Sequence, residues 1–213
     1  MKTENLVAML AANVEAVSPK AASRQIGLAL AASLPLSFLL LAMGYGVRSD
    51  LSTAIGWPMF WVKLLVPACV AVFGFTVTQR LARPGVLVRQ TWMGLLAPIL
   101  FIWALGVIVL MTAPPADRAA LIMGQTWRSC AFSITAISAP VFVAALWSLK
   151  RLAPTRPAVA GAAAGAMSSG SGAAIYALHC PEMAAPFLAV WYVAGMSLPA
   201  LLGALIGPRL LRW

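Results

Sequence analysis

The sequence predicts an all-α integral membrane protein: six transmembrane helices in an antiparallel bundle, with both termini in the cytoplasm. Three observations carry that expectation. Hydrophobic residues make up 62% of the 213 and charged residues 9%, at a mean hydropathy of +0.92, whereas soluble domains carry about a quarter charged residues. Apolar runs recur at residues 26–45, 58–78, 92–111, 129–149, 157–178 and 186–206, each close to the ~20 residues that cross ~30 Å of hydrocarbon at ~1.5 Å per residue. Finally, the basic residues bracket these runs unevenly. Lys2, Lys20, Arg24, Arg80, Arg83, Arg89, Lys150, Arg151, Arg156, Arg209 and Arg212 fall on one side and Arg48, Lys63, Arg118 and Arg128 on the other. Eleven against four places the first group in the cytoplasm. The net charge of +10 is therefore topogenic; lipid is the surrounding partner, and no direct contact with nucleic acid is expected.

Residues 1–25 form a cytoplasmic amphipathic segment ahead of a membrane domain of residues 26–213. Leu6, Leu10, Val14 and Val17 recur at three- and four-residue spacing behind Thr3, a fitting N-cap, and Glu4 in the first turn, until Pro19 stops the helix. Its polar face of Glu4, Asn5, Asn13 and Glu15 lacks the Lys and Arg that would bind anionic lipid. Such a helix suits a groove on another protein; the bland alternative is a frayed leader. The first apolar run is too long for the h-region of a cleavable signal peptide, so it is expected to stay in the mature protein.

The first span ends at Gly44-Tyr45-Gly46, and the second opens at Trp57-Pro58, where the missing N–H of proline costs nothing. Lys63 lies about a turn and a half inside the second span, where an ammonium must snorkel outward or pair with Asp50, Asp117 or Glu182. Cys69, near mid-span, reads as a small core hydrophobe. Arg80, Arg83 and Arg89 around Pro84-Gly85 read as topogenic charge rather than a partner contact. Thr112 to Arg118 makes a longer outer loop. The fifth span is almost entirely Ala, Gly, Ser and Val, and Gly161-Ala162-Ala163-Ala164-Gly165 is a small-xxx-small pattern, so close helix packing is expected. A path lined by its serines is the weaker option. Gly203 and Gly207 repeat the spacing in span six, and Trp57, Trp92, Trp127, Trp147 and Trp213 sit at or just beyond span ends as an interfacial belt requires. Short connections favour up-and-down packing.

Chemistry concentrates at His179-Cys180-Pro181-Glu182, just past the outer end of span five, and at Cys130, at the outer start of span four. The two thiols are about equally far from the inner turn between Lys150 and Arg156, so they share a depth, and neighbouring helices can bring their Cα atoms within the ~7 Å a disulfide needs. Such a pair could form a structural disulfide, a reversible redox switch, or, completed by His179 and Glu182, a site for a soft divalent metal ion. It could also be two unrelated interfacial thiols. The spacing matches no compact zinc motif, and there is no Cys-x-x-Cys pair to support a thiol oxidoreductase. One histidine and no carboxylate well inside a span leave no acid–base relay or triad, so an enzyme is not expected. The rival class is a small-solute transporter or channel, with the serines of span five and Lys63 along its path.

Leu6-Val7-Ala8-Met9-Leu10-Ala11, Gly46-Val47-Arg48-Ser49-Asp50-Leu51, Phe60-Trp61-Val62-Lys63, Arg80-Leu81-Ala82-Arg83-Pro84-Gly85, His179-Cys180-Pro181-Glu182, Trp191-Tyr192 and Leu211-Arg212-Trp213 together resemble the NrsF-type six-span anti-sigma factors along nearly the whole chain. The resemblance implies a negative regulator in the bacterial inner membrane. Such a protein holds an extracytoplasmic-function sigma factor of the sigma-F type until heavy-metal or oxidative stress releases it. It implies sensor thiols at Cys130 and Cys180 and a sigma-binding role for the N-terminal segment. No cofactor is required, a heavy-metal ion acting only as inducer, and Cys69 matches no functional position.

Overall fold

The computed structural model describes residues 3–212 apart from 13–17, 19, 84, 87 and 89, with the backbone alone of Leu10. Val14 and Val17, two of the expected sigma-binding positions, and Arg89 and Trp213 therefore lie outside the described residues. Within them every regular element is a helix: α1 (Thr3–Ala12), α2 (Ala21–Gly44), α3 (Leu51–Ala54), α4 (Pro58–Leu81), α5 (Thr91–Thr112), α6 (Pro115–Met123), α7 (Trp127–Lys150) and α8 (Pro157–Tyr176). Then α9 (Ala185–Phe187), a π-helical turn (Leu188–Tyr192) and α10 (Val193–Leu210) follow one another without a break.

Backbone chemistry explains the main boundaries. Gly46 adopts φ 77° and donates, with Tyr45, to Leu41 O at 2.9 Å, which closes α2 in the left-handed conformation glycine favours. Pro58 and Pro157 stand in the first turns of α4 and α8. Helices α2, α4 and α7 outrun the expected spans at the Arg- and Lys-rich end, because Arg24, Arg80 and Lys150 continue the helix beyond the apolar run. The expected loop after Thr112 instead begins α6, with Asp117 in its first turn and Gly124 closing it.

Among the described residues, five helical stretches are long and apolar enough to cross a membrane: α2, α4, α5, α7 with α6 leading into it, and the stretch from Ala185 to Leu210. The sixth expected span, α8, has the length, 20 residues, but its small side chains give it less apolar character. Its position supplies the reason. α8 packs against α10, α4 and α7 and is the most enclosed helix of the bundle. A side chain on Gly161 would overlap the backbone of Gly203, one on Gly165 that of Pro199, and one on Gly170 would reach Pro67 O at 2.7 Å. Pairing of Gly161 with Gly203 and Gly165 with Pro199, and of Gly74 with Met167 and Gly170 with Ala71, makes α8 antiparallel to both α10 and α4. The small-xxx-small pattern thus does what it does in lipid, where close backbone approach replaces the hydrophobic effect as the adhesive. α2, α4, α5, α7 and α10 each contain an internal proline, whereas α8 has one only at its start.

The serines of α8 do not line a path. Ser168 donates to Ala164 O at 2.7 Å, Ser171 to Met167 O at 2.9 Å and Ser169 to Ala166 O at 3.2 Å. These hydroxyls are buried and turned onto their own helix. Outward faces are apolar instead: Leu36, Leu39 and Met43 of α2 and Leu100, Val107 and Met111 of α5 are exposed. Cys69, expected in the core, is exposed on this outer surface of α4 beside Phe73, Pro98 and Phe101.

Two cores divide the bundle end to end. One gathers Ala22, Ile26, Val77, Leu81, Leu149 and Leu211 at the Arg- and Lys-rich end. The other gathers Leu41, Val66, Ile134, Tyr176, Phe187 and Tyr192 around Cys130 and Cys180.

Candidate sensor site

The thiols meet because two helix ends are tied together. α8 stops at Tyr176, whose carbonyl accepts from both His179 N and Cys180 N at 3.0 Å, and Pro181, lacking an N–H, prevents the helix from resuming. The chain turns inward, and Glu182 Oε1 accepts from Gln125 N at 2.6 Å and Thr126 N at 3.1 Å. Those amides precede α7, so the carboxylate satisfies donors that a helix start leaves open and complements its positive end. Gly124, at φ 54°, makes room for it: a Cβ there would lie 2.7 Å from Glu182 Cδ. This strap sets Cys130, in the first turn of α7, against Cys180. Both are fully buried free thiols and hydrogen-bond to each other.

Lys63 neither snorkels nor finds a carboxylate. It is 1% exposed, and Nζ donates to the backbone carbonyls of Cys180 and of Glu182, the latter at 2.9 Å, with the Tyr192 ring centroid 5.7 Å away. An ammonium has three donors, and the carbonyls of a sharp turn satisfy them as a side-chain acid would. Arg48 adds a second cation: its N–H donates to Leu178 O at 3.1 Å and Nη1 to Cys180 O at 3.3 Å, while Nε and Nη2 make a bidentate pair with Asp50 at 2.7 Å. That pair raises the Arg48 pKa and holds the Asp50 carboxyl below its ordinary range.

His179 and Glu182, expected as helpers of the thiols, are committed elsewhere. His179 Nδ1 lies 2.9 Å from Gly46 O; a carbonyl only accepts, so this nitrogen carries the proton. Its ring stacks edgewise near Tyr45, 5.5 Å between centroids, and tilts toward Tyr176 at 5.6 Å. Among the described residues no three His, Cys, Asp or Glu side chains converge as a metal-binding set. The protein itself offers two thiols, half of a tetrahedral soft-metal set.

Two residues of the site, Tyr192 and Arg48, lie in stretches that carry the family resemblance but have no role assigned from sequence. Tyr192 is fully engulfed on the π turn, has no conventional partner for its hydroxyl, and interacts with the Cys180 sulfur. π turns inside α-helices commonly mark functional positions, and no sequence signal announces this one. Arg48 carried a legible signal, the Arg-x-Asp turn of Arg48-Ser49-Asp50. Electrostatically, the hydrogen bond with Cys130 holds the Cys180 thiol below its ordinary pKa, burial opposes this and Lys63 reinforces it.

A helical bundle whose long helices are apolar enough to cross a membrane, enclosing two apposed thiols beside a buried cation, defines a helical membrane protein with a buried thiol pair. Residues 10–213 match the family model described as "Negative regulator of sigma F". The chain is 43% identical over 213 residues to the probable anti-sigma-F factor NrsF of Azospira oryzae, and 38% identical over 218 aligned positions to the anti-sigma-F factor NrsF of Caulobacter vibrioides, each covered over its whole length and covering the whole chain. The chain belongs to the NrsF family. No solved structure matches it.

Proposed function

We propose that this chain is a membrane anti-sigma factor of the bacterial inner membrane. It holds an extracytoplasmic-function sigma factor and releases it when oxidants or heavy-metal ions react with Cys130 and Cys180. Family membership along the whole chain carries the reading. The chain crosses the membrane six times with both termini in the cytoplasm. α8 supplies the sixth crossing, since its 20 residues span ~30 Å at ~1.5 Å per residue, and its modest apolarity matters little behind a wall of other helices. The positive-inside rule then puts the core containing Ile26 and Leu149 at the cytoplasmic face and the thiols near the other.

Residues 1–25 are the sigma-binding unit. Leu6, Val7 and Met9 of α1 are 43%, 59% and 64% exposed, an apolar surface that a groove on a sigma factor would cover. Leu10, Val14 and Val17 extend the same pattern in sequence. No cofactor is needed; a heavy-metal ion acts as inducer, taking the two thiols as ligands and completing its shell from outside the chain.

Deleting residues 2–18 from the full-length protein should leave the bundle inserted and abolish co-purification of the sigma factor from solubilised membranes. Retained co-purification would move the contact to the cytoplasmic loops.

A further inference from the structure

We propose that Lys63 is the coupling residue of the thiol site, tying the turn from Cys180 to Glu182 onto α4 so that displacement of Cys180 is passed to that helix. The proposal rests on the sensor reading above. Among the described residues Lys63 is the only buried charged side chain, and its hydrogen bonds go to two backbone carbonyls of one turn. A buried ammonium is costly, and it becomes costlier when its acceptors leave. When the turn moves, the lysine must follow it.

The other restraints on the turn do not lead away from the site. Arg48 and the carbonyl of Gly46 belong to the connection after α2, and the Glu182 carboxylate holds the start of α7, which already carries Cys130. Lys63 alone among these side chains sits on a long helix that bears neither thiol. α4 runs on to Leu81, and Val77, Leu81 and Ala82 pack with Ala22 and Ile26, in the first turns of α2 directly behind the N-terminal segment. A continuous packed route thus joins the thiol end to the segment read as sigma-binding. Contact alone does not establish coupling; a variant that breaks transmission and spares the chemistry does.

Oxidation supplies the displacement. Two thiols and one hydrogen peroxide give a disulfide and two waters: the sulfurs lose two electrons and two protons, and the peroxide O–O bond breaks. The new S–S bond of ~2.05 Å is much shorter than a thiol hydrogen bond, so Cys180 moves toward α7. Its carbonyl is one that Lys63 holds.

The test uses the full-length protein in membrane vesicles with its sigma factor bound, treated with hydrogen peroxide. Thiol alkylation mass shifts follow the Cys130–Cys180 bond, and co-sedimentation follows the sigma factor. Lys63→Met and Lys63→Gln should insert, hold the sigma factor at rest and form the disulfide, yet release about tenfold less of it than the wild type. Lys63→Arg should recover part of the release, and Arg118→Ala, at an exposed outer cation away from the site, should release normally. Wild-type release from a neutral Lys63 variant whose disulfide has formed overturns the proposal. So do equal losses in the Lys63 and Arg118 variants, or failure of both neutral variants to insert or to form the disulfide, which would make Lys63 purely structural. A wild-type protein that forms the disulfide and releases nothing overturns the sensor reading itself, and this proposal with it.

Discussion

Cys180 is the residue whose surroundings most constrain its chemistry. Its thiol is held below the ordinary range first by the hydrogen bond with Cys130 and then by Lys63, against the opposing effect of burial. A depressed pKa means that the thiolate persists at pH values where an ordinary thiol is protonated, and is lost only as pH falls through the lowered value. Removing the Cys130 partner raises that value again. The pH profile of Cys180 alkylation by a small permeant reagent should therefore shift upward in Cys130→Ala, which leaves no donor, read in a Cys69→Ala background by mass spectrometry; an unchanged profile would mean that Cys130 does not activate its neighbour. Both thiols and their common depth were legible in the sequence. The commitments of His179 to Gly46 O and Glu182 to the start of α7 were not, because both partners are backbone groups more than fifty residues away, and such partners leave no trace in residue identity.

Among the elements, α8 decides how the bundle holds together. Its glycines bring backbones into contact with α10, α4 and α7, where any side chain forces separation. Gly161→Val, which would press into Gly203, should lower the melting temperature in detergent by an amount equivalent to about 1–3 kcal/mol of overpacking. Gly44→Ala, with nothing within 4 Å, should change it little. Equal behaviour of the two variants would contradict a close-packed α8. The small-xxx-small spacing made this packing readable in advance, since the pattern has a mechanical meaning in lipid. By contrast, α6 and the π turn at Tyr192 were invisible: a nine-residue amphipathic helix looks like a polar loop beside apolar spans, and a π turn depends on one extra residue absorbed during packing.

Over the whole molecule, charge and core placement agree. The basic residues that end α4 and α7 and begin α2 flank one core, and the thiols sit in the other. Reporter fusions at the two termini and within the 151–156 turn should all read cytoplasmic, and one placed at 114–118 should read external; an external C-terminus would remove a crossing and contradict the six-span reading. For such a molecule to invert a 99:1 sigma-bound population, input at the thiols must bias the two states by about 5.5 kcal/mol. That demand makes the thiols the decisive place to intervene. In membranes carrying Cys130→Ser, Cys180→Ser protein, the sigma factor should stay bound after treatment with hydrogen peroxide or a cadmium salt at doses that release it from the wild type. Undiminished release from the double variant would contradict the account.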